Sequence, residues 1–239
     1  MIRMPTESEP VVVIEGDCLE FIDGIEAGAL ITDPPYGIGY ATNHIHNGAK
    51  ASWHGRKIEN DDDTGVRDYV LTYARARQIP WACFGSWKIP KPKAIRGVLI
   101  WDKGPAFGMG DLSFPWKMSH EEIYIGGQGW SGHRDEGVLR GYFVPPTEQN
   151  GRCHPTEKPV SLMRYLIRRL PLDLLIIDPF AGSGPTGVAA IAENRRCILI
   201  EKDQGYAAIC RERISQAMGM GKGSMLKSLN LGLFGEVKI

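Results

Sequence analysis

The chain has 239 residues, of which 43% are hydrophobic and 23% are charged, and its formal net charge at pH 7 is +0. This composition is typical of a globular protein with one sizeable core, and the lack of a long apolar run argues against a membrane span or an export signal. The five cysteines show no C-x-x-C spacing, which argues against a disulfide framework or a zinc site, so we expect a cytoplasmic protein without a metal ion.

Short apolar runs alternate with polar or helical segments in the first third of the chain. The runs at 11–14 and 29–32 predict two buried strands, and the segment at 18–27 predicts a short helix between them. Residues 37–63 are rich in Gly, Asn and His and predict a long loop. A helix is predicted over 64–78.

The same alternation continues to the C-terminal part of the chain and indicates an α/β fold. Strands of four to five apolar residues between helices favour a mostly parallel sheet with helices on both faces. Ligands bind such sheets beyond the C-terminal ends of the strands. The remaining elements are predicted as strands at 98–101, 122–125, 141–144, 174–177 and 197–201, and as helices at 160–170, 185–193 and 204–218.

Asp33-Pro34-Pro35-Tyr36 directly follows one of the predicted strands. An exocyclic amine of adenine or cytosine is a poor nucleophile, because its lone pair is delocalised into the ring. A carboxylate and a backbone carbonyl can accept its two N–H groups and stabilise the positive charge that develops during attack. Tyr36 offers a face on which an extruded base can stack. The motif therefore suggests chemistry on an amino group, and a strand-ending turn with a capping aspartate is the alternative.

A second motif, Asp178-Pro-Phe-Ala-Gly-Ser-Gly184, stands between a predicted strand and a predicted helix. Glycines at such a turn let backbone N–H groups approach an adenosine-type ligand. Glu201 ends the next strand, where an acidic residue can accept hydrogen bonds from ribose hydroxyls, and Asp178 is a further acceptor. The alternative is that Asp178 caps the helix and that Glu201 is a solvated strand end.

Together these motifs resemble those of the class β DNA amino-methyltransferases, which occur in restriction-modification systems and phages. The motif at 33–36 matches their catalytic motif, the motif at 178–184 their S-adenosyl-L-methionine loop, and His154-Pro-Thr-Glu-Lys-Pro159 the segment before that loop. In this class the catalytic motif precedes the glycine loop, whereas related protein and ribosomal-RNA enzymes have the reverse order. The resemblance implies a Rossmann-like methyltransferase fold with a mostly parallel seven-stranded sheet and this permuted order.

The resemblance also implies the residues of the site. The expected catalytic residues are Asp33, Pro34, Pro35 and Tyr36. Lys158 would face the carboxylate of the cofactor, S-adenosyl-L-methionine, and Glu201 would face its ribose. Trp101, Lys103, His120 and Glu121 fall where the family has comparable residues. The full set of expected cofactor-binding residues is Asp17, Cys18, Asp33, Lys158, Asp178, Phe180, Ala181, Gly182, Ser183, Gly184, Glu201 and Lys202.

Two features bear on double-stranded DNA as the substrate. A basic stretch could be a phosphate-binding track or an ordinary solvated surface, and the zero net charge does not decide between them. Only about thirty residues separate Glu121 from His154, where many family members insert a target-recognition region. The basic stretch consists of Lys88, Lys91, Lys93, Arg96, Lys103 and Lys117.

The resemblance implies methylation of adenine N6, because D-P-P-Y accompanies that activity and S-P-P-Y more often accompanies cytosine N4. Cytosine N4 methylation and a non-catalytic DNA-binding module on the same fold are the alternatives. A nicotinamide oxidoreductase is disfavoured, since it would not explain Asp33-Pro34-Pro35-Tyr36. We expect one methyltransferase domain over 1–218, with loop insertions at about 37–63 and 104–150, and a tail over 219–239. A homodimer and a cognate restriction endonuclease are further expected partners.

Overall fold

The computed structural model of the chain describes residues 2–35, 45–46, 49–50, 64–104, 113, 115–142 and 157–219. Its strands are β1 (Val11–Glu15), β2 (Ala29–Thr32), β3 (Ile45–His46), β4 (Ala49–Lys50), β5 (Trp81–Gly85), β6 (Ile95–Asp102), β7 (His120–Gly126), β8 (Val138–Leu139), β9 (Ile176–Asp178) and β10 (Cys197–Glu201). Its helices are α1 (Cys18–Phe21), α2 (Gly65–Ala76), α3 (Val160–Ile167), α4 (Pro185–Ala192) and α5 (Gln204–Gly219).

Eight of these strands form one sheet in the order β1-β10-β9-β2-β5-β7-β6-β8, and β3 and β4 form a separate hairpin. Neighbouring strands from β1 to β5 in this order are parallel, as are β6 and β8. β7 is antiparallel to both of its neighbours, β5 and β6. The predicted mostly parallel α/β sheet is therefore confirmed, with the two-residue strand β8 added to the expected seven.

The core lies on both faces of this sheet. Successive strand residues point to opposite faces, so Ala29 and Ile31 join one hydrophobic cluster and Leu30 joins the other. The first cluster includes α3, α4 and α5, and the second includes α2 and the turn after α1. Because both faces are covered, the strands are continuously apolar, and this is why short apolar runs located most of them.

Two details of the sheet differ from the sequence prediction. β5 was not predicted, although all five of its residues are buried in the middle of the sheet. A strand predicted at 141–144 is wrong for its described residues, 141–142, and the short strand lies at Val138–Leu139 instead. Gly141 has a φ of +79°, which is a left-handed conformation that ends strand pairing.

Several predicted segments fall outside the described residues. They include Tyr36, most of the loop at 37–63, residues 105–112, residues 143–156 and the tail from 220. Among the helices of the described ranges, none is both long enough and apolar enough to cross a membrane.

Candidate active site at the C-terminal edge of the sheet

The C-terminal ends of four adjacent parallel strands bring the predicted motifs to one edge of the sheet. Asp33 follows β2, Asp178 ends β9, and Glu201 ends β10. Asp17 follows β1, which pairs with β10 so that Glu15 lies opposite Glu201. Since β9 lies between β10 and β2, the two predicted motifs are neighbours in space although they are far apart in sequence.

Asp33 forms an ion pair with a buried lysine. The Nζ atom of Lys158 lies 2.6 Å from Oδ2 of Asp33 and 3.2 Å from Oε2 of Glu121. The other carboxylate oxygen of Glu121 lies 2.7 Å from Nζ of Lys103. Carboxylates and ammonium groups therefore alternate from Asp33 through Lys158 and Glu121 to Lys103, and we call these four side chains the charge row.

Burial strengthens the interactions within the charge row. The side chain of Lys158 is 3% exposed, and its ammonium lies 5.1 Å from the centre of the Phe84 ring. Burial opposes the charged form of Lys158, but the carboxylates of Asp33 and Glu121 outweigh it and raise the pKa of Lys158. Burial likewise acts against ionised Glu121, but Lys158 and Lys103 lower the pKa of Glu121 below its usual value. Lys158 and Glu121 are thus both held in their ionised forms.

The glycine loop between β9 and α4 depends on left-handed backbone at two positions. Gly182 has a φ of +53° and Gly184 a φ of +82°, and side chains are disfavoured in both conformations. A Cβ atom at Gly184 would also lie 2.6 Å from Sγ of Cys210. Pro185 then begins α4, where its missing N–H leaves no hydrogen bond unmade. The two glycines of the motif are therefore required by the turn itself.

Asp178 is directed into the protein rather than into the cleft. Its side chain accepts hydrogen bonds from the Thr32 hydroxyl, the Phe180 backbone N–H and the Thr186 hydroxyl. Asp178 is 2% exposed, and burial raises its pKa to about 6 against the opposing effect of these donors. Asp178 does not cap α4, whose N-cap is Gly184 without a side-chain cap hydrogen bond, but it holds Thr186 in the first turn of α4.

Glu201 lies beside the glycine loop and is partly exposed. Its carboxylate accepts a hydrogen bond from the backbone N–H of Gly182 at 2.7 Å and another from that of Asp203 at 2.9 Å. Burial raises the pKa of Glu201 to about 7, and the two backbone donors only partly offset this effect. Each carboxylate oxygen still has acceptor capacity for a ligand hydroxyl.

Asp17 and Lys202 complete this side of the cleft. Asp17 caps α1 by accepting from the Leu19 backbone N–H at 3.0 Å, and its other carboxylate oxygen lies 3.3 Å from Nζ of Lys202. The backbone N–H of Gly16 donates to the carbonyl of Glu201 at 2.9 Å and joins the ends of β1 and β10. The structure thus brings Asp17, Lys202 and Glu201 together, as the resemblance implies.

The remaining predicted cofactor residues differ in how accessible their side chains are. Cys18 is buried in the core next to α2, where burial raises the pKa of its thiol to about 12. Ala181 and Ser183 are also buried, whereas Phe180 and Gly182 are partly exposed. Tyr36 lies outside the described residues.

A network that the sequence analysis missed joins the glycine loop to the segment before α3. Arg213 on α5 donates to the hydroxyl of Ser183 at 2.8 Å and to its carbonyl at 3.1 Å. Another nitrogen of its guanidinium pairs with the buried carboxylate of Glu157 at 2.7 Å. Arg213 and Ser183 are 30 positions apart in the sequence, so no local pattern could have predicted this contact.

Comparisons with known proteins agree with this architecture. Residues 98–212 match the sequence model of the N6/N4 methyltransferase family, whose description is DNA methylase. The chain is 24% identical over 239 residues to the type II methyltransferase M2.MboI of Moraxella bovis, with 84% of this chain and 86% of that protein covered.

Two solved structures share the fold. The complex of M1.HpyAVI with SAM has a TM-score of 0.59 at 18% identity, covering 85% of this chain and 99% of that one. The PvuII DNA methyltransferase, described as cytosine-N4-specific, has a TM-score of 0.58 at 16% identity, covering 95% and 93%. The predicted Rossmann-like fold is thereby confirmed. The match to the family model and the similarity to M2.MboI confirm the resemblance to DNA amino-methyltransferases of the N6-adenine/N4-cytosine class.

Proposed function

We propose, from the confirmed resemblance to DNA amino-methyltransferases of the N6-adenine/N4-cytosine class, that this chain methylates adenine N6 in double-stranded DNA. The observation that carries the proposal is the position of Asp33. Asp33 stands at the C-terminal edge of a parallel sheet, next to the strand that the glycine loop follows. Glu201, which contacts that loop, lies one strand further along. An amine acceptor and a nucleotide-type pocket therefore open on one cleft.

The residues beside β1 and β10 fit S-adenosyl-L-methionine. Glu201 is a partly exposed carboxylate that can accept from two ribose hydroxyls, and the left-handed turn at Gly182 and Gly184 keeps side chains out of the loop. Asp17 lies one strand further along the same edge. The cofactor, when bound, supplies an electrophilic methyl group, and these residues hold and orient it.

Asp33 is the residue that acts directly on the target amine. Its carboxylate accepts an N–H of the target amine and stabilises the positive charge that develops on nitrogen, and the carbonyl of Pro34 accepts the second N–H. Pro34 is buried and Pro35 follows it, so the turn that presents this carbonyl is rigid. Holding the amine and the methyl donor in line supplies a further part of the rate. The base reaches this position by leaving the duplex, which costs a few kcal/mol.

Exposed groups near the same edge are suited to DNA. Lys88 is exposed just after the C-terminal end of β5, beside Trp87, whose exposed fraction is 57%. Lys93 is exposed too, but it precedes β6, whose first residue lies at the opposite edge of the sheet. Lys91 and Lys103, from the same basic stretch, pair instead with glutamates of β7. Lys88 and Trp87 support phosphate and base contacts at this edge, which makes the basic stretch only partly a phosphate-binding track.

Adenine is favoured over cytosine by the aspartate of D-P-P-Y. The test is to incubate the protein with unmethylated DNA and methyl-labelled S-adenosyl-L-methionine, digest the DNA and separate the nucleosides by mass. Label in N6-methyladenine is expected. Label in N4-methylcytosine would be consistent with the proposed role of Asp33 but would overturn adenine as the target base.

Cofactor binding is tested separately from transfer. S-adenosyl-L-methionine should raise the melting temperature, because a ligand that binds only the folded state stabilises it, whereas NAD should not. Stabilisation without any labelled nucleoside would favour the non-catalytic DNA-binding module. Stabilisation by NAD instead would overturn the assignment of the cofactor.

We further propose that residues 1–218 form a single methyltransferase domain and that 219–239 form a tail. The support is that the elements of the main sheet run from β1 at Val11 to β10 at Glu201. A homodimer, a cognate restriction endonuclease and a cytoplasmic location stay predictions from the resemblance and the composition.

A further inference from the structure

The charge row places two carboxylates around one buried ammonium group. Asp33 follows β2, Glu121 lies on β7, and Lys158 precedes α3, so three separate parts of the chain meet at one Nζ atom. Lys103, just beyond β6, binds the far side of Glu121. The four side chains are at most 23% exposed, and that exposure belongs to Asp33.

Removal of the central ammonium would take one cation away from each of the two carboxylates. Asp33 also faces the buried carboxylate of Asp178, whose pKa it helps to raise. Lys103 would still pair with Glu121. Like charges in a partly buried site take up a proton at a higher pH than isolated ones. A protonated Asp33 could not stabilise positive charge on an amine.

We propose, resting on the function proposed above, that Lys158 and Glu121 are positioning residues for Asp33. Lys158 keeps the Asp33 carboxylate ionised and fixed in orientation. Glu121 anchors the Lys158 ammonium at its position beside Asp33. Neither residue needs to touch the DNA or the cofactor for this role.

This role differs from the one that the family resemblance implies for Lys158. There the ammonium would face the cofactor's carboxylate, and its loss would weaken cofactor binding. Here Nζ, which has three protons to donate, already makes two contacts with carboxylates of the protein. Loss of Lys158 should therefore reduce the rate of transfer and change its pH dependence more than it reduces cofactor affinity.

The test uses the variants Lys158→Met, Glu121→Gln and the double variant. For each, kcat at saturating DNA and cofactor is measured from about pH 5 to about pH 9, and the cofactor Kd is measured by calorimetry. Lys91→Met is the matched control, because Lys91 pairs with the neighbouring residue Glu122 but is 53% exposed and is not part of the charge row. Melting temperatures show whether each variant folds.

In Lys158→Met, we expect kcat near neutral pH to fall at least about 10-fold and the acidic limb of the profile to move to higher pH by about one unit or more. Glu121→Gln should move the acidic limb to lower pH, because Asp33 is then the only carboxylate of the charge row that pairs with Lys158. In the double variant, the acidic limb should lie at a lower pH than in Lys158→Met, closer to its position in the wild type. Lys91→Met should have the same pH profile as the wild type. Because Glu121→Gln retains Lys158, it tests the proposal even if Lys158→Met does not fold.

Two results would overturn the inference. One is an active wild type whose acidic limb stays in place in both Lys158→Met and Glu121→Gln. The other is a large loss of cofactor affinity in Lys158→Met with an unchanged kcat at saturation, which is the pattern of a contact with the cofactor's carboxylate. An inactive wild type would instead refute the proposed function, so the two failures are distinguishable.

Discussion

Thr32 donates a hydrogen bond from its hydroxyl to Oδ1 of Asp178 at 2.9 Å, and both side chains are buried. Thr32 is the last residue of β2 and directly precedes Asp33, whereas Asp178 is the last residue of β9 and begins the glycine-loop motif. β2 and β9 are paired neighbours in the sheet. This single bond therefore links the strand end of the proposed amine site to the strand end of the proposed cofactor loop.

Thr32→Val should destabilise the protein by about 1–3 kcal/mol, because it removes one of three donors from a buried carboxylate. The loss should be larger above about pH 6, since burial already raises the pKa of Asp178 to about 6 and the missing donor stabilised its ionised form. Urea unfolding at two pH values measures both effects.

The control for this variant is Thr72→Val, which removes a hydroxyl from the exposed face of α2. It should change the free energy of unfolding by no more than about 0.5 kcal/mol. If Thr32→Val and Thr72→Val lowered the free energy of unfolding equally, the hydrogen bond between Thr32 and Asp178 would make no specific contribution to stability.

Gly184→Ala should destabilise the folded protein by about 1–3 kcal/mol, because Gly184 is in a left-handed conformation and the added methyl group meets Cys210. It should also reduce the thermal stabilisation by S-adenosyl-L-methionine. Gly97→Ala is the control, since a Cβ atom at Gly97 meets nothing within 4 Å. Wild-type stability in Gly184→Ala would contradict the proposed requirement for glycine at this turn.

Arg213→Met should lower the free energy of unfolding by about 2 kcal/mol or more, because it leaves the buried carboxylate of Glu157 without this cation. It should weaken cofactor binding as well, since the arginine holds Ser183 in the glycine loop. Arg211→Met removes a mostly exposed pair with Glu15 from the same helix and should have little effect. Similar results for both variants in unfolding and calorimetry would argue against a specific role for Arg213.

Glu201→Gln should change how stability depends on pH. Because burial raises the pKa of Glu201 to about 7, its protonated form is favoured in the folded state. The stability it contributes is fully present below about pH 4.5 and is lost as the pH rises through about 7, with a slope of at most about 1.4 kcal/mol per pH unit. Glutamine does not ionise, so the Glu201→Gln variant should not show this fall in stability with rising pH.

The measurement is urea unfolding of both proteins at about pH 5 and about pH 8. The stability of the wild type relative to the variant should fall between these values. Asp178 titrates in the same direction but is present in both proteins, so the difference isolates Glu201. Parallel pH dependence in the two proteins would contradict a raised pKa for Glu201 in the folded state.

The sequence predicts the strand ends of the site well, because each strand is buried on both faces and therefore forms a short apolar run. β5 escaped prediction because Pro80 precedes it and Gly85 ends it, so its five residues resemble a connection. The motifs also place Asp33 and Glu201 at one edge correctly, since the ends of parallel strands converge there.

What the sequence does not reveal is the direction of each side chain and its distant partner. Asp178 and Glu201 both end strands, yet Asp178 is turned into the protein by Thr32 and Thr186 while Glu201 remains partly exposed. The pairing of Lys158 with Asp33 joins residues 125 positions apart, and only packing in three dimensions decides it. Such contacts leave no local periodicity.

The central claim is that Asp33 holds the target amine, and Asp33→Asn tests it most directly. The variant and the wild type are compared in the labelled nucleoside assay, and cofactor affinity is measured by calorimetry. We expect N6-methyladenine from the wild type, a loss of about 100-fold or more in transfer rate for the variant, and nearly unchanged cofactor affinity. Equal rates of label transfer by the variant and the wild type would contradict the assignment of Asp33.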